Sequence, residues 1–367
     1  MWQCKELLKL LVKAATCDPA RGALAPLLFA LESAGFPWRP EPVDEEVVNI
    51  LVPLSSVPRV LVAVHYDVVP PVIEGVRARE GEESGRLYGR GACDVLGGAA
   101  ALLGALAELG KDFPWEKSKI WVAFTGDEER EGRGSRGLAA SLPPSLRYAL
   151  VLEPTRGELA FSSCGSLEYE VEIKGTPSHG SVPERGKNPL LWAAHFLLRL
   201  EETLEALNCR YSPPLPLTLT PLLLTGGSEE LSVPVAARLR FDLRIPPGVP
   251  LREVEEELAG LLRADEGITL HYGLAEEWAS SWESDPESDF GRLLRDVYRE
   301  LYGREPVPVV MESWTDAHHF RDRGLETVVW GPGDLAVAHT PFEHLDYREL
   351  EEAKEFLKLF FRRLLEF

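Results

Sequence analysis

The chain has 367 residues, which is longer than one ordinary domain, so its length predicts two domains. A formal net charge of −20 argues against a nucleic-acid surface, which needs a basic patch, and against an anionic membrane as partner. Five scattered cysteines without a CxxC pair disfavour a disulfide framework, and no apolar run reaches the roughly 18 residues of a membrane span, so we expect a cytoplasmic protein.

The first part of the chain alternates helical patterns with short apolar runs. The runs predict buried strands at residues 47–52, 60–64, 120–124 and 149–152. Helical patterns cover residues 2–15, 24–34, 99–109 and 135–142. The segment 76–86 has no clear period and is predicted to be an irregular surface excursion.

The sequence pattern changes after about residue 163, where the predicted strands alternate between apolar and polar residues. These strands are predicted at residues 167–173, 217–224, 237–245 and 269–272, with helices at 189–207 and 251–263. This βαββαβ order predicts a small sheet domain with helices on one face. The pattern of the first part of the chain then returns, with helices predicted at 290–302 and 347–366 and strands at 307–311 and 327–330. We therefore predict a first domain of residues 1–163 and 274–367, interrupted by a second domain of residues 164–273.

The strand at residues 60–64 leads directly into His65 and Asp67. Side chains two residues apart on extended chain point the same way, so the Asp67 carboxylate could accept the second ring N–H of His65. That would leave the other ring nitrogen free for a metal. A purely structural His–Asp pair is the alternative interpretation.

Three other predicted strands also lead into potential metal ligands, and Asp94 precedes a helix. The further candidates are Glu128, Glu129, Glu153 and His339. Carboxylates crowded at one sheet edge would repel one another unless cations neutralised them. Imidazole and carboxylate ligands suit zinc, with cobalt or manganese as alternatives. A carboxylate such as Asp94 can bridge two ions, and a glutamate left unligated can act as general base.

Seven segments, in chain order, together resemble the dinuclear-zinc amidohydrolase and peptidase family of acetylornithine deacetylase, succinyl-diaminopimelate desuccinylase, aminoacylase and carboxypeptidase G. The segments are HYDVVP at 65–70, GRGACD at 89–94, TGDEE at 125–129, LEPT at 152–155, KGTPSHG at 174–180, TDA at 315–317, and GPG at 331–333 through AHTPFE at 338–343. The resemblance implies an α/β fold: a mixed-sheet catalytic domain of the zinc-peptidase kind with helices on both faces, interrupted by a smaller ferredoxin-like α+β domain that acts as lid and dimerisation domain.

The resemblance also implies a two-zinc centre. It implies His65 and Glu153 on one zinc, Glu129 and His339 on the other, Asp94 as the bridge, Glu128 as general base and Asp67 orienting His65. A non-proline cis peptide bond between Asp94 and Val95 is implied as well.

The inserted domain contributes two further candidates by resemblance. His179 is implied to reach the active site of a partner subunit and to stabilise the oxyanion, and Arg244 to hold a substrate carboxylate. A homodimer through the inserted domain is therefore expected. Without the resemblance, His179 would be an ordinary loop histidine. For Arg244, an arginine on a solvated strand face remains the alternative interpretation.

Three positions depart from the common family pattern, and they leave the substrate open. A lysine common shortly after the bridging aspartate is absent, Ser232 stands where asparagine is common, and His318 where arginine is common.

The predicted function is hydrolysis of the amide bond of an N-acyl amino acid, in the manner of acetylornithine deacetylase or of hydrolases that release lysine or ornithine from an acidic carrier protein. Such a carrier would need a local basic patch, for which Arg238, Arg240 and Arg244 are the nearest candidates. A di- or tripeptidase, or a carboxypeptidase of the same family, is the runner-up.

Two interpretations from other classes are weaker. The residues 132–137 form a GxGxxG pattern, which is typical of dinucleotide-binding folds. Three acidic residues precede the glycines, however, and would repel the pyrophosphate of a dinucleotide. A non-catalytic interaction protein on this scaffold is disfavoured because every expected ligand, and Glu128, is present.

Overall fold

The computed structural model describes residues 3–73 and 75–367 of the chain. The helices are α1 (Cys4–Cys17), α2 (Leu24–Ala34), α3 (Leu96–Leu109), α4 (Trp115–Ser118), α5 (Arg133–Ser141), α6 (Pro189–Tyr211), α7 (Leu251–Leu261), α8 (Asp289–Tyr302), α9 (Ala317–Asp322) and α10 (Tyr347–Arg363). The strands are β1 (Arg39–Pro42), β2 (Val48–Pro53), β3 (Val60–His65), β4 (Val72–Ile73), β5 (Val76–Arg77), β6 (Gly81–Glu83), β7 (Arg86–Tyr88), β8 (Ile120–Thr125), β9 (Tyr148–Val151), β10 (Ala160–Ser163), β11 (Gly165–Lys174), β12 (Thr218–Gly226), β13 (Ala236–Ile245), β14 (Thr269–Ala279), β15 (Trp282–Glu283), β16 (Val309–Met311), β17 (Glu326–Val329) and β18 (His344–Asp346).

The chain divides into two compact units. Unit 1 comprises Met1–Phe161, Ser284–Val309 and Thr315–Phe367, and unit 2 comprises Ser162–Glu283 and Val310–Trp314. Unit 1 is thus discontinuous in sequence.

A large mixed sheet forms the centre of unit 1. Its strands run in the order β1-β2-β8-β3-β9-β17-β10, and the four central strands β8, β3, β9 and β17 are parallel neighbours. The flanking pairs β1–β2, β2–β8 and β17–β10 are antiparallel. Because the carboxyl ends of parallel strands share one edge, the residues that follow these four strands are brought together. An α/β fold with a mixed sheet is therefore confirmed.

The apolar runs form the core of unit 1 as their composition predicts. Every residue of β3 is buried, and α3, which consists largely of alanine, leucine and glycine, is buried from Leu96 to Leu106. Residues without polar side chains can pack on all sides, so α3 packs against α1, α10 and β3.

Unit 2 is a four-stranded antiparallel sheet with two helices. The sheet order is β12-β13-β11-β14, and the elements follow one another as β11, α6, β12, β13, α7 and β14. Its core includes Val171, Phe196 and Phe241, with the rings of Phe196 and Phe241 5.6 Å apart.

Several local predictions were wrong. The segment 76–86 is not irregular, because it holds β5, β6 and the start of β7, and β6 and β7 form a hairpin in which β7 also pairs with β18. β14 extends to Ala279, well beyond the predicted end at Tyr272. Helix α1 begins at Cys4, and the predicted start at Trp2 lies outside the described residues.

Within residues 3–73 and 75–367, none of the helices combines the length and the apolar composition needed to cross a membrane.

Candidate metal centre

His65 is the last residue of β3 and is completely buried. Its Nδ1 lies 3.0 Å from the main-chain carbonyl oxygen of Asp67. Because a carbonyl can only accept, Nδ1 carries a proton, and Nε2 is the ring nitrogen that faces the neighbouring carboxylates and could bind a metal.

The prediction that the Asp67 carboxylate accepts the His65 N–H was therefore wrong: the acceptor is the main-chain carbonyl oxygen of Asp67. That carboxylate lies 3.8 Å from Nδ1, too far for a hydrogen bond. Strand β3 ends at His65, so Asp67 lies beyond the paired part of the strand. The carboxylate instead accepts the main-chain N–H groups of Glu128 and Glu129, each at 3.2 Å. Asp67 thus ties the loop after β8 to the end of β3.

Asp94 lies between two histidines, just before α3. One carboxylate oxygen is 3.3 Å from His65 Nε2, and the other is 3.3 Å from His339 Nε2. The Asp94–Val95 peptide bond is cis, as the resemblance implied. One oxygen towards each imidazole is the arrangement expected of a carboxylate that bridges two ions.

Three glutamates complete the cluster. Glu128 and Glu153 each place a carboxylate oxygen 3.8 Å from His65 Nε2, and Glu129 places one 3.1 Å from His339 Nε2. Glu128 and Glu129 follow β8, and Glu153 follows β9, so the parallel strands on either side of β3 position all three. The structure therefore brings together all six of the metal-ligand and general-base candidates.

Within the described residues, the ligand atoms fall into triads that lie within 4.8 Å of one another. The triads are His65, Asp94 and Glu153; Asp94, Glu129 and His339; and His65, Glu128 and Glu129. The first two are the sets implied for the two ions, and they share Asp94.

The carboxylates and imidazoles of this cluster shift one another's pKa values. Burial disfavours protonation of His339, but the carboxylates of Asp94 and Glu129 outweigh burial and raise the pKa of His339 to about 11. Burial, together with neighbouring carboxylates, raises the pKa values of Glu128 and Glu153 above their ordinary range.

The residues present fit a pair of divalent cations. Within the described chain, His65 Nε2 and Glu153 Oε1 are buried without a hydrogen-bond partner, a costly state for polar atoms unless an ion satisfies them. Imidazole and carboxylate donors are those preferred by zinc, cobalt and manganese.

The two candidates from the inserted domain lie in unit 2. His179 is exposed, and its Nδ1 accepts the main-chain N–H of Ser181 at 3.2 Å. Arg244, on β13, has a side chain that is 34% exposed; its Nε donates to Asp242 at 2.8 Å, and its Nη1 is buried with no hydrogen-bond partner among the described residues.

The three arginines considered as candidates for a basic patch are each paired with an acidic residue of unit 2. Arg238 forms a paired contact with Glu170, Arg240 donates to Glu168 at 2.8 Å, and Arg244 is paired with Asp242. Since β11 lies beside β13, acidic residues of β11 neutralise the first two arginines. The sequence shows the arginines, but the neutralisation of Arg238 and Arg240 depends on strand pairing.

One buried carboxylate beside the cluster had no assigned role. Asp316 is 1% exposed and accepts the Thr125 hydroxyl at 2.5 Å. Burial raises its pKa, although hydrogen bonds from Ser135 and Thr125 oppose this. The sequence feature that could have identified Asp316 is the TDA segment at 315–317, in which it is the acidic residue.

The glycines of the GxGxxG pattern allow close packing at the start of α5. The residues of the pattern form the turn before α5 and the first part of that helix, and a Cβ on Gly134 would lie 2.2 Å from the carbonyl oxygen of Gly126. A cavity of about 480 Å³ opens in unit 1 beside the cluster, where Asp67 and Glu129 contribute to its lining with Tyr66, Arg130 and Arg133.

Comparison with known proteins identifies the class of this chain. The model of the peptidase family M20/M25/M40 matches residues 61–363. The chain therefore belongs to this family, and it is a metallo-hydrolase of the amidohydrolase and peptidase class.

Individual relatives are consistent with this assignment. The chain is 29% identical to an acetylornithine deacetylase of Myxococcus xanthus over 309 residues, covering 78% of this chain and 75% of the relative. Its fold resembles that of a tripeptidase from Staphylococcus aureus, with a TM-score of 0.76, 14% identity and full coverage of both chains. It also resembles the YXEP protein of Bacillus subtilis, described as a dinuclear metal-binding peptidase, with a TM-score of 0.67, 15% identity and coverage of 99% and 98%.

Proposed function

We propose that this protein hydrolyses the amide bond of a small N-acyl amino acid with the help of two divalent cations, zinc first among them. The observation that carries the proposal is the pair of triads that share Asp94, with one carboxylate oxygen facing each histidine. His65 and Glu153 would hold one ion, Glu129 and His339 the other, and Asp94 both. The name of the Myxococcus xanthus relative supports a deacylase over the general class.

When bound, such ions polarise the scissile carbonyl and lower the pKa of a water molecule. The protein's own part is to orient the ligands and to move the proton. Asp67 fixes the main chain of Glu128, whose side chain is largely buried and lies 3.8 Å from His65 Nε2. We assign Glu128 as the base that takes a proton from water and returns it to the departing amine.

Arg244 and His179 are proposed to act on the substrate from unit 2. Asp242 holds the Arg244 guanidinium through Nε, and Nη1 has no hydrogen-bond partner among the described residues, which supports a role in pairing with a substrate carboxylate. We propose His179 as the oxyanion donor of a partner subunit in a cytoplasmic homodimer. Exposed apolar side chains on α6, Leu191 and Leu198, support association through unit 2.

A carrier-protein substrate receives no support, because the arginines that would attract an acidic carrier are paired. The peptidase alternative retains one supporting observation, the fold shared with a tripeptidase. A panel of N-acetyl amino acids, dipeptides and tripeptides separates the two, since a deacylase releases the free amine from the first group and a peptidase from the others.

The test of the mechanism is Glu128→Gln. We expect a fall in kcat of about 10²- to 10⁴-fold with the metal content unchanged, because the amide cannot take up the proton. Glu131→Gln, an exposed carboxylate on the same loop, is the matched control and should keep full activity. Near-full activity of a metal-loaded Glu128→Gln protein would contradict the proposal.

A further inference from the structure

Arg90 and Glu343 form an ion pair in the interior of unit 1. Their side chains are 2% and 0% exposed, and Arg90 Nη1 lies 2.5 Å from Glu343 Oε2. The residues are 253 positions apart in sequence. A buried ion pair loses much of its attraction to desolvation and is often no more stabilising than an apolar pair. The contacts made by its remaining polar atoms therefore indicate its role.

Each remaining contact goes to the main chain of a segment that carries a candidate ligand. Arg90 Nε donates to the carbonyl of Pro70 at 3.2 Å, and Nη2 donates to the carbonyl of His339 at 3.4 Å. On the other side, Glu343 Oε1 accepts the main-chain N–H groups of Cys93 and Asp94, both at 3.3 Å.

The pair thus connects three separate parts of the cluster. Pro70 ends the segment that begins with His65, Asp94 is the shared carboxylate, and His339 lies on the segment after β17. These segments are far apart in sequence, and one guanidinium and one carboxylate hold all three.

Among the candidate ligands, His339 is the one whose position depends most on the Arg90–Glu343 pair. Its side chain is 47% exposed, so packing restrains it little, and its main chain has φ of 60°, an uncommon conformation for a residue with a side chain. The hydrogen bond from Arg90 to its carbonyl restrains this conformation directly.

We infer that Arg90 and Glu343 are positioning residues that set the distance between the Asp94 carboxylate and the His339 imidazole, and so the affinity for the ion held by Asp94, Glu129 and His339. This inference rests on the proposed function, because it presumes that the two triads bind ions. The planar fork of arginine can donate in three directions at once, with a rigid geometry that the single ammonium of a lysine does not supply.

The experiment measures binding of zinc alone to the metal-free protein by competition with a chromogenic chelator. Glu343→Gln keeps the size of the side chain but cannot accept from both the guanidinium and the two amides. Arg90→Lys keeps the charge but loses the fork. In both variants we expect about a 10- to 100-fold loss of affinity for one of the two ions, with a smaller change for the other.

Lys354→Met is the matched control. Lys354 is also a largely buried partner of acidic residues, 2.6 Å from both Glu108 and Glu351, and it lies on α10 away from the cluster. We expect its zinc affinities to stay within about two-fold of the unmodified protein, since no ligand segment is touched.

The outcomes separate the inference from the proposed function. Unmodified protein that binds no zinc would overturn the proposed function and the inference with it. Two tightly bound ions in the unmodified protein, with unchanged affinities in folded Glu343→Gln and Arg90→Lys, would overturn the inference alone. Loss of the folded metal-free state in both variants would also overturn it, because the pair would then serve stability.

Discussion

Thr125 shows how single residues at the strand ends support the candidate centre. It is the last residue of β8, it is fully buried, and its hydroxyl donates to the Asp316 carboxylate at 2.5 Å. Asp316 lies at the start of α9 and is also buried. A buried carboxylate needs such donors, because the loss of a hydrogen bond leaves its full desolvation cost uncompensated.

Thr125→Val removes this donor without changing the size of the side chain. We expect the free energy of unfolding to fall by about 1–3 kcal/mol. Thr125→Ser keeps the hydroxyl and should cost less. Urea denaturation in the presence of a chelator measures both variants without a contribution from bound metal, and equal stabilities would show that the hydrogen bond to Asp316 contributes nothing.

At the scale of elements, α3 shows how close packing is achieved around the sheet of unit 1. Two glycines of this helix allow neighbouring elements to approach. A Cβ on Gly104 would lie 2.0 Å from Cys4 Sγ of α1, and one on Gly97 would lie 2.4 Å from a methyl carbon of Leu345. Glycine is required at both positions because neighbouring atoms leave no room for a Cβ, and not because of the backbone conformation, since neither position has a positive φ.

Gly104→Ala should therefore destabilise the protein although alanine favours helix formation. We expect a loss of about 1–3 kcal/mol from overpacking. Cys4→Ala in the same protein should recover part of this loss by making room. Gly260→Ala on α7 is the control with opposite sign: its Cβ would meet nothing within 4 Å, so about 0.5–1 kcal/mol of stabilisation is expected. Denaturant midpoints that shift alike for both glycine variants would refute this account.

At the scale of the whole molecule, the candidate ligands are confined to one of the two units. His65, Asp94, Glu129, Glu153 and His339 all belong to unit 1, although they come from the two ends of the chain. Bound cations would therefore tie the amino- and carboxyl-terminal parts of unit 1 together and add stability to that unit alone.

Removal of metal should affect the two units differently. At an ion concentration about 1,000-fold above the dissociation constant, binding contributes about 4 kcal/mol to the stability of unit 1. With a chelator, we expect faster hydrogen exchange at the segments around His65, Asp94 and His339, whereas exchange in β11 and β13 of unit 2 stays unchanged. Mass spectrometry resolves these segments, and a uniform increase across both units would refute ligation within unit 1.

Much of the fold and of the candidate site follows from local pattern. Continuous apolar runs indicate buried strands because both faces of a parallel sheet are covered, and β3, β8, β9 and β17 lie within one or two residues of their predicted positions. Polar residues that follow such runs meet at one edge of the sheet, so residue order and residue type are sufficient to group His65, Glu128 and Glu153.

The tertiary structure alone decided which atoms meet. The His65 N–H goes to the main-chain carbonyl of Asp67 and not to its carboxylate, which accepts two main-chain N–H groups of the loop after β8. Arg90 and Glu343 pair across 253 residues. Two of the three arginines of β13 are neutralised by acidic residues of the strand beside it. The sequence by itself determined the elements and the ligand types, since periodicity and residue chemistry are local. Contacts between distant segments depend on strand order and chain direction, which only the folded chain specifies.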